Sequence, residues 1–199
     1  MTSTAPVAGL LLAAGGGRRL GGRPKALLTT RGRLFVELAA GALRAAGCDP
    51  VVVVLGAAAE RVRERAELTG CLLVDNPEWA SGMGSSLRVG LAAVARAGAG
   101  AALVALVDQP GVGAAAMARV AAAYRSPESL AAAAYGGRRG HPVLIGAAHF
   151  AAVAAEAEGD AGARGYLRAR EALITLVECG DVAVPDDVDE PGDLIDLPS

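Results

Sequence analysis

Five short apolar runs punctuate the chain: VAGLLLAA (7–14), PVVVVLG (50–56), CLLVD (71–75), AALVALVD (101–108) and LITLVEC (173–179). Each is short, aliphatic and bounded by Gly, Pro or Asp, which predicts a buried strand. Between them, residues 34–46, 58–67, 84–97 and 113–125 carry Ala, Leu, Arg and Glu at amphipathic helical spacing. This alternation predicts an α/β fold of Rossmann-like kind, a mostly parallel sheet with helices on both faces. SLAAAAYGGRRGHPVLIG (129–146) breaks the rhythm with two strand-like runs around a Gly-Arg turn, a hairpin or crossover. The stretch 181–196 holds seven acidic residues and two prolines and reads as a solvated surface segment.

Length and charge narrow the partners. A chain of 199 residues without a repeat or linker is expected to form one domain, 1–199, burying roughly 70 % of its unfolded surface. A net charge of −2 and only six aromatic residues argue against a nucleic-acid binder. No apolar run approaches the roughly 18 residues of a membrane span, and the N-terminal stretch MTSTAPVAGLLLAAGG has no basic segment of the secretory kind. Cys48, Cys71 and Cys179 are odd in number and show no paired spacing, which fits reduced thiols in a cytoplasmic protein.

In a parallel sheet, ligands gather beyond the carboxyl ends of the strands. After the first run comes GGGRRLGGRPK (15–25), and after the fourth comes DQPG (108–111). Glycines after a buried strand leave backbone N–H groups free to approach phosphate oxygens. Two common phosphate loops do not fit. Counted from Gly15, the third small residue of the dinucleotide fingerprint is replaced by Leu20, and Gly22 is followed by Arg23-Pro24 where Lys-Ser/Thr would complete the Walker pattern. Pro24 also interrupts any direct entry into a helix. The expected holder is therefore a long loop whose side chains, Arg18, Arg19, Arg23 and Lys25, supply the charge. Lys25 is the only lysine among nineteen cationic residues. A compact ammonium on a flexible stem suits a phosphate that moves during a reaction.

LAAGGGRRLGGRPKALL (12–28) resembles the signature loop of the nucleotidyltransferases that act on the molybdenum cofactor, the cytidylyltransferase and molybdopterin-guanine-dinucleotide-type NTP transferase family. Leu12, Ala14, Gly15, Arg19, Gly21 and Lys25 match; Gly17 stands where many members have serine, and Leu20 where many have methionine. NPEWASGMGSSLRVGL (76–91), LVDQPGV (106–112), GGRRGHPVLIG (136–146), GDAGARGYL (159–167) and DVDEPGDL (187–194) are similar to further family segments in the same order. The resemblance implies a nucleotide-diphospho-sugar transferase fold, with a nucleotide-binding N-terminal half and an acceptor-binding C-terminal half. LAAG, Asp-Gln-Pro and Gly-His-Pro look like the cytidylyltransferase branch, and a side chain at Ala14 would narrow the base site toward a pyrimidine.

The reaction so implied joins CMP from CTP (or, in the sister branch, GMP from GTP) to the phosphate of a molybdopterin-type acceptor and releases pyrophosphate. The nucleophile is already an anion, so catalysis rests on positioning and charge neutralisation, with Mg²⁺ as cofactor. Asp108, ending a buried strand, is the expected metal ligand. By resemblance Asp189 is the second, with Asp187 and Asp193 as alternatives. Lys25 and Arg19 would complete the catalytic set with Asp108. Leu12, Ala13, Ala14, Gly15, Gly16 and Gly17 would contact the nucleotide with Arg19 and Lys25. Ser85 and Ser86 either cap a helix or face the nucleotide. Arg138, Arg139, His141, Asp160 and Arg164 would form the acceptor side, where His141 also admits a structural reading. A molybdoenzyme would receive the product. Two other readings remain: a transferase for another small phosphorylated acceptor, and a non-catalytic molybdopterin carrier.

Overall fold

A computed structural model describes residues 6–194. The first five residues of the N-terminal stretch and Asp196 of the acidic segment lie outside the described residues. The strands are β1 (Val7–Ala13), β2 (Thr29–Thr30), β3 (Arg33–Leu34), β4 (Val51–Leu55), β5 (Cys71–Asp75), β6 (Ala101–Leu106), β7 (Leu130–Tyr135), β8 (Arg138–Gly146) and β9 (Ile174–Glu178). The α-helices are α1 (Phe35–Ala45), α2 (Ala59–Arg65), α3 (Met83–Arg96), α4 (Ala114–Ala121), α5 (Phe150–Glu156) and α6 (Arg164–Ala169). Seven strands form one sheet in the order β5-β4-β1-β6-β8-β7-β9, and β2 pairs with β3 in a small separate ribbon. Strand β1 sits between β4 and β6 and is parallel to both; β8 alone in the sheet runs antiparallel, to β6 and β7.

The sheet separates two apolar layers because side chains alternate along a strand. Leu11, Val53 and Leu55 face one way and pack with Phe35 and Leu43 of α1, Val62 of α2 and Met117 and Val120 of α4. Leu10, Leu12, Val52 and Val54 face the other way and meet Leu87, Leu91 and Val94 of α3, Phe150 and Val153 of α5 and Leu167 of α6. All five residues of β4 are buried, as expected of a parallel strand covered on both faces.

Three expectations need correction. The runs at 71–75 and 173–179 form the two edges of the sheet, not buried strands: Leu72 is 48 % exposed, Leu173 66 % and Leu176 50 %. The predicted helix 113–125 ends at Ala121, and residues 122–124 curl into hydrogen-bonded turns. The segment after 181 is not simply solvated. Ala183 and Val188 are buried, and the backbone N–H groups of Val184 and Val188 donate to Gly111 O and Asp108 O, laying this strap across the end of β6.

Candidate active site

The glycine-rich loop leaves β1 and folds on itself before it reaches α1. Gly17 adopts the left-handed conformation, φ +64°, and its carbonyl accepts from the N–H groups of Leu20 and Gly22. A Cβ on Gly17 would overlap the Arg23 carbonyl oxygen and lie 2.6 Å from its carbon, so only glycine fits this crossing. Leu20, Ala26 and Leu28 are buried anchors. Pinned between them, Lys25 occupies a single 3₁₀ turn, Lys25–Leu27.

Lys25 bridges two carboxylates from distant parts of the chain. Its Nζ donates to Asp108 Oδ2 at 2.6 Å and to Asp189 Oδ1 at 2.5 Å. Arg19 Nη1 donates to the other Asp189 oxygen at 2.8 Å. Asp108 follows β6, and Asp189 comes from the strap, whose turn is closed by Asp193 Oδ2 accepting from the N–H groups of Asp189 and Glu190. Burial alone would lower the Lys25 pKa, but the hydrogen bond and charge of Asp108, then those of Asp189, outweigh it and raise the pKa. The hydrogen bond from Lys25, aided by its charge and by Arg19, holds Asp189 below the usual carboxylate range. Asp187 is pushed up, by partial desolvation first and then by the neighbouring charges of Asp108 and Asp189. Gln109 Nε2 ties Asp187 and the Pro185 carbonyl to the turn after β6.

Lys25, Arg19, Asp108 and Asp189 face a cavity of about 530 Å³. Leu12, Ala14, Gly15, Gly16, Gly17, Arg19 and Lys25 line it, together with Ser86, Asp108, Asp160 and Asp189. Ala13 does not; its side chain packs into the opposite apolar layer with α1. Ser85 does not either: it is buried, its hydroxyl lies 3.0 Å from Glu78 O and 2.9 Å from Gly82 O, and Asn76 Nδ2 donates to both Ser85 and Ser86. Arg138, Arg139, His141 and Arg164 stand outside the lining. His141 lies near enough to Asp108, Arg164 and Arg139 to feel their charges; burial pushes its imidazole down to about 4. Eight lining residues were missed by sequence reasoning: Arg18, Trp79, Ala80, Ser81, Gly82, Met83, Leu106 and Val107. Arg18 was read only as loop charge, and Trp79, the single tryptophan, sits within a quoted motif but was given no role. The Trp79 ring covers the loop so closely that a Cβ on Gly16 would meet its Cζ3 at 3.0 Å.

Asp108 Oδ2 and Asp189 Oδ1 converge on a single cation, so their oxygens suit a hard divalent ion such as Mg²⁺ or Mn²⁺. Among the described residues no group of three or more His, Cys, Asp or Glu could hold a metal. The remaining ligands of such an ion would be water and phosphate oxygens.

A glycine-rich loop after the first strand, two carboxylates beyond the neighbouring strand and a cavity lined by both stand at the carboxyl edge of the sheet, where α/β enzymes bind their ligands. The chain belongs to the family described as the MobA-like NTP transferase domain, whose model matches residues 9–173, and is by class a nucleotidyltransferase. It is 46 % identical over 190 residues, 92 % of either chain, to the nicotine blue oxidoreductase of Paenarthrobacter nicotinovorans. Its structure resembles that of a nucleotidyl transferase from Methanothermobacter, with a TM-score of 0.79 at 23 % identity over 96 % of this chain and 94 % of that one, which shows a shared fold. It also resembles Rv0371C of Mycobacterium tuberculosis in complex with manganese, with a TM-score of 0.75 at 29 % identity over 94 % and 95 % of the two chains. The mostly parallel sheet is that of the nucleotide-diphospho-sugar transferases. Among the described residues, no helix is long and apolar enough to cross a membrane.

Proposed function

We propose that this protein is a Mg²⁺-dependent cytidylyltransferase that joins CMP from CTP to the phosphate of a molybdopterin-type acceptor and releases pyrophosphate. The observation that carries this reading is the convergence of Lys25, Asp108 and Asp189 at the mouth of the glycine-loop cavity. The backbone of Gly15–Gly17 cradles phosphate, and Ala14 and Trp79 limit the space for the base. Lys25 and Arg19 neutralise the triphosphate and the departing pyrophosphate. Asp108 and Asp189 would hold the divalent ion, which supplies charge stabilisation at the transferred phosphoryl group. The acceptor phosphate attacks the α-phosphorus, already ionised and needing no general base. Asp160, which lines the cavity, would meet the acceptor, with Arg138, Arg139, His141 and Arg164 standing beyond that lining, one domain thus carrying both halves of the reaction. The free thiols Cys48, Cys71 and Cys179 fit a cytoplasmic setting in which a molybdoenzyme takes the product.

A second reading rests on the 46 % identical relative, named for an oxidoreduction. In it the same cavity holds a reduced dinucleotide by its phosphates and passes hydride to a conjugated, nicotine-related pigment. One experiment separates the two. Incubation with Mg²⁺, molybdopterin and CTP should release pyrophosphate, with GTP much poorer, and the enzyme should not oxidise NADH or NADPH in the presence of nicotine blue. Dinucleotide oxidation without pyrophosphate release would favour the second reading. Faster turnover with GTP would move the chain to the guanylyl branch.

A further inference from the structure

Lys25 stands where the divalent ion is assigned, and this inference rests on that assignment. Its ammonium lies 2.6 Å from Asp108 Oδ2 and 2.5 Å from Asp189 Oδ1, so the two carboxylates already share one cation. A small hydrated dication bound to the same two oxygens would have to face that ammonium at close range. Arg19 cannot take over the bridge. It is exposed and reaches only the outer oxygen of Asp189. Nor do the described residues offer a third ligand that would let the metal win unaided. A triphosphate changes both terms: it contributes oxygens to the metal and a strong alternative partner to the lysine.

We propose that Lys25 is the internal counter-ion of the metal site: in the nucleotide-free protein it fills the cation position between Asp108 and Asp189, and it leaves only when a triphosphate takes its ammonium. Metal and nucleotide therefore bind together, and free Mg²⁺ is not retained. The residue type follows. An ammonium is a compact point charge on a four-carbon stem, able to sit between two carboxylates and then swing to phosphate; a guanidinium is a planar fork suited to one bidentate partner. That gives a physical reason for the single lysine in a chain that otherwise uses arginine at eighteen positions.

Because the chain has one lysine, NMR of protein labelled with lysine ¹⁵Nζ gives one side-chain ammonium signal. Mg²⁺ alone at millimolar concentration should leave that signal in place, whereas Mg²⁺ with CTP should shift it. In parallel, Mn²⁺ affinity by EPR should rise about tenfold in Lys25→Met without nucleotide, a coupling of ordinary size between sites. CTP should raise Mn²⁺ affinity in the wild type more than in the variant. A signal that moves with Mg²⁺ alone, or Mn²⁺ binding to Lys25→Met that is unchanged or weaker, overturns the proposal while leaving the metal site intact. Absence of Mn²⁺ binding to the wild type even with CTP would remove the metal assignment, and the proposal with it. The NMR titration needs no variant, so it stands if Lys25→Met fails to fold.

Discussion

Replacing Gly17 by alanine tests whether the observed loop conformation is the one that binds nucleotide. Two penalties add. Left-handed backbone costs a non-glycine residue on the order of 1–2 kcal/mol, and Gly17 sits at φ +64°. The added methyl also overlaps the Arg23 carbonyl, a backbone group with no rotamer by which to escape. The total is about 3 kcal/mol against the closed loop. Gly15–Gly17 lie at the cavity, outside both apolar layers, while Leu20, Ala26 and Leu28 keep the rest of the loop anchored in the layer with α1. If only the closed loop binds CTP, apparent affinity falls by the fraction that remains closed, about 100-fold. The assay is calorimetric titration of CTP with Mg²⁺, beside a thermal melt. Gly17→Ser should behave the same way, because its Cβ meets the same carbonyl. CTP binding by Gly17→Ala within a factor of two of wild type would refute the reasoning.

Other substitutions probe the carboxylates and the histidine. Asp108→Asn should lower kcat/KM by about 10²- to 10³-fold, whereas Glu190→Gln, exposed and outside the cavity lining, should stay within about twofold in the same pyrophosphate assay; equal losses would remove the distinction between them. His141 is neutral in the fold, with its pKa pushed down to about 4 from 6.5. A depressed folded value means the unfolded chain binds the extra proton first. The stability His141 permits is therefore full above pH 6.5 and is lost as pH falls toward 4, on the order of 3 kcal/mol in all. Urea midpoints measured from pH 4 to 7 should show this slope in the wild type and a flatter one in His141→Asn; parallel slopes would contradict the burial argument.

How far the sequence revealed the molecule depended on whether a residue's own neighbourhood carried the signal. Strands β1, β4 and β6 were legible because burial on both faces writes continuous apolar runs. The same runs at β5 and β9 say nothing about place in the sheet, so their edge positions, with Leu72 and Leu176 exposed, could not be read. Helices α5 and α6, seven and six residues long, are too short for helical periodicity to stand out among alanines. Lys25 was legible as an outlier in an arginine-rich chain. Its bridge to Asp108 and Asp189 was not, since it joins positions 83 and 164 residues apart. The acidic strap hid its role because composition points to solvent, while among the described residues Ala183 and Val188 anchor it by burial. Trp79 was a lone aromatic beside glycines, a signal that could have been weighed as a wall for a flat ring.

The most direct test of the account follows the α-phosphate. With CTP labelled at that phosphorus, Mg²⁺ and molybdopterin, the label should enter the acceptor in step with pyrophosphate release, one for one, and Asp108→Asn should slow both by the same factor. Label that stays in CTP, while the protein binds the nucleotide, would contradict nucleotidyl transfer as this chain's reaction.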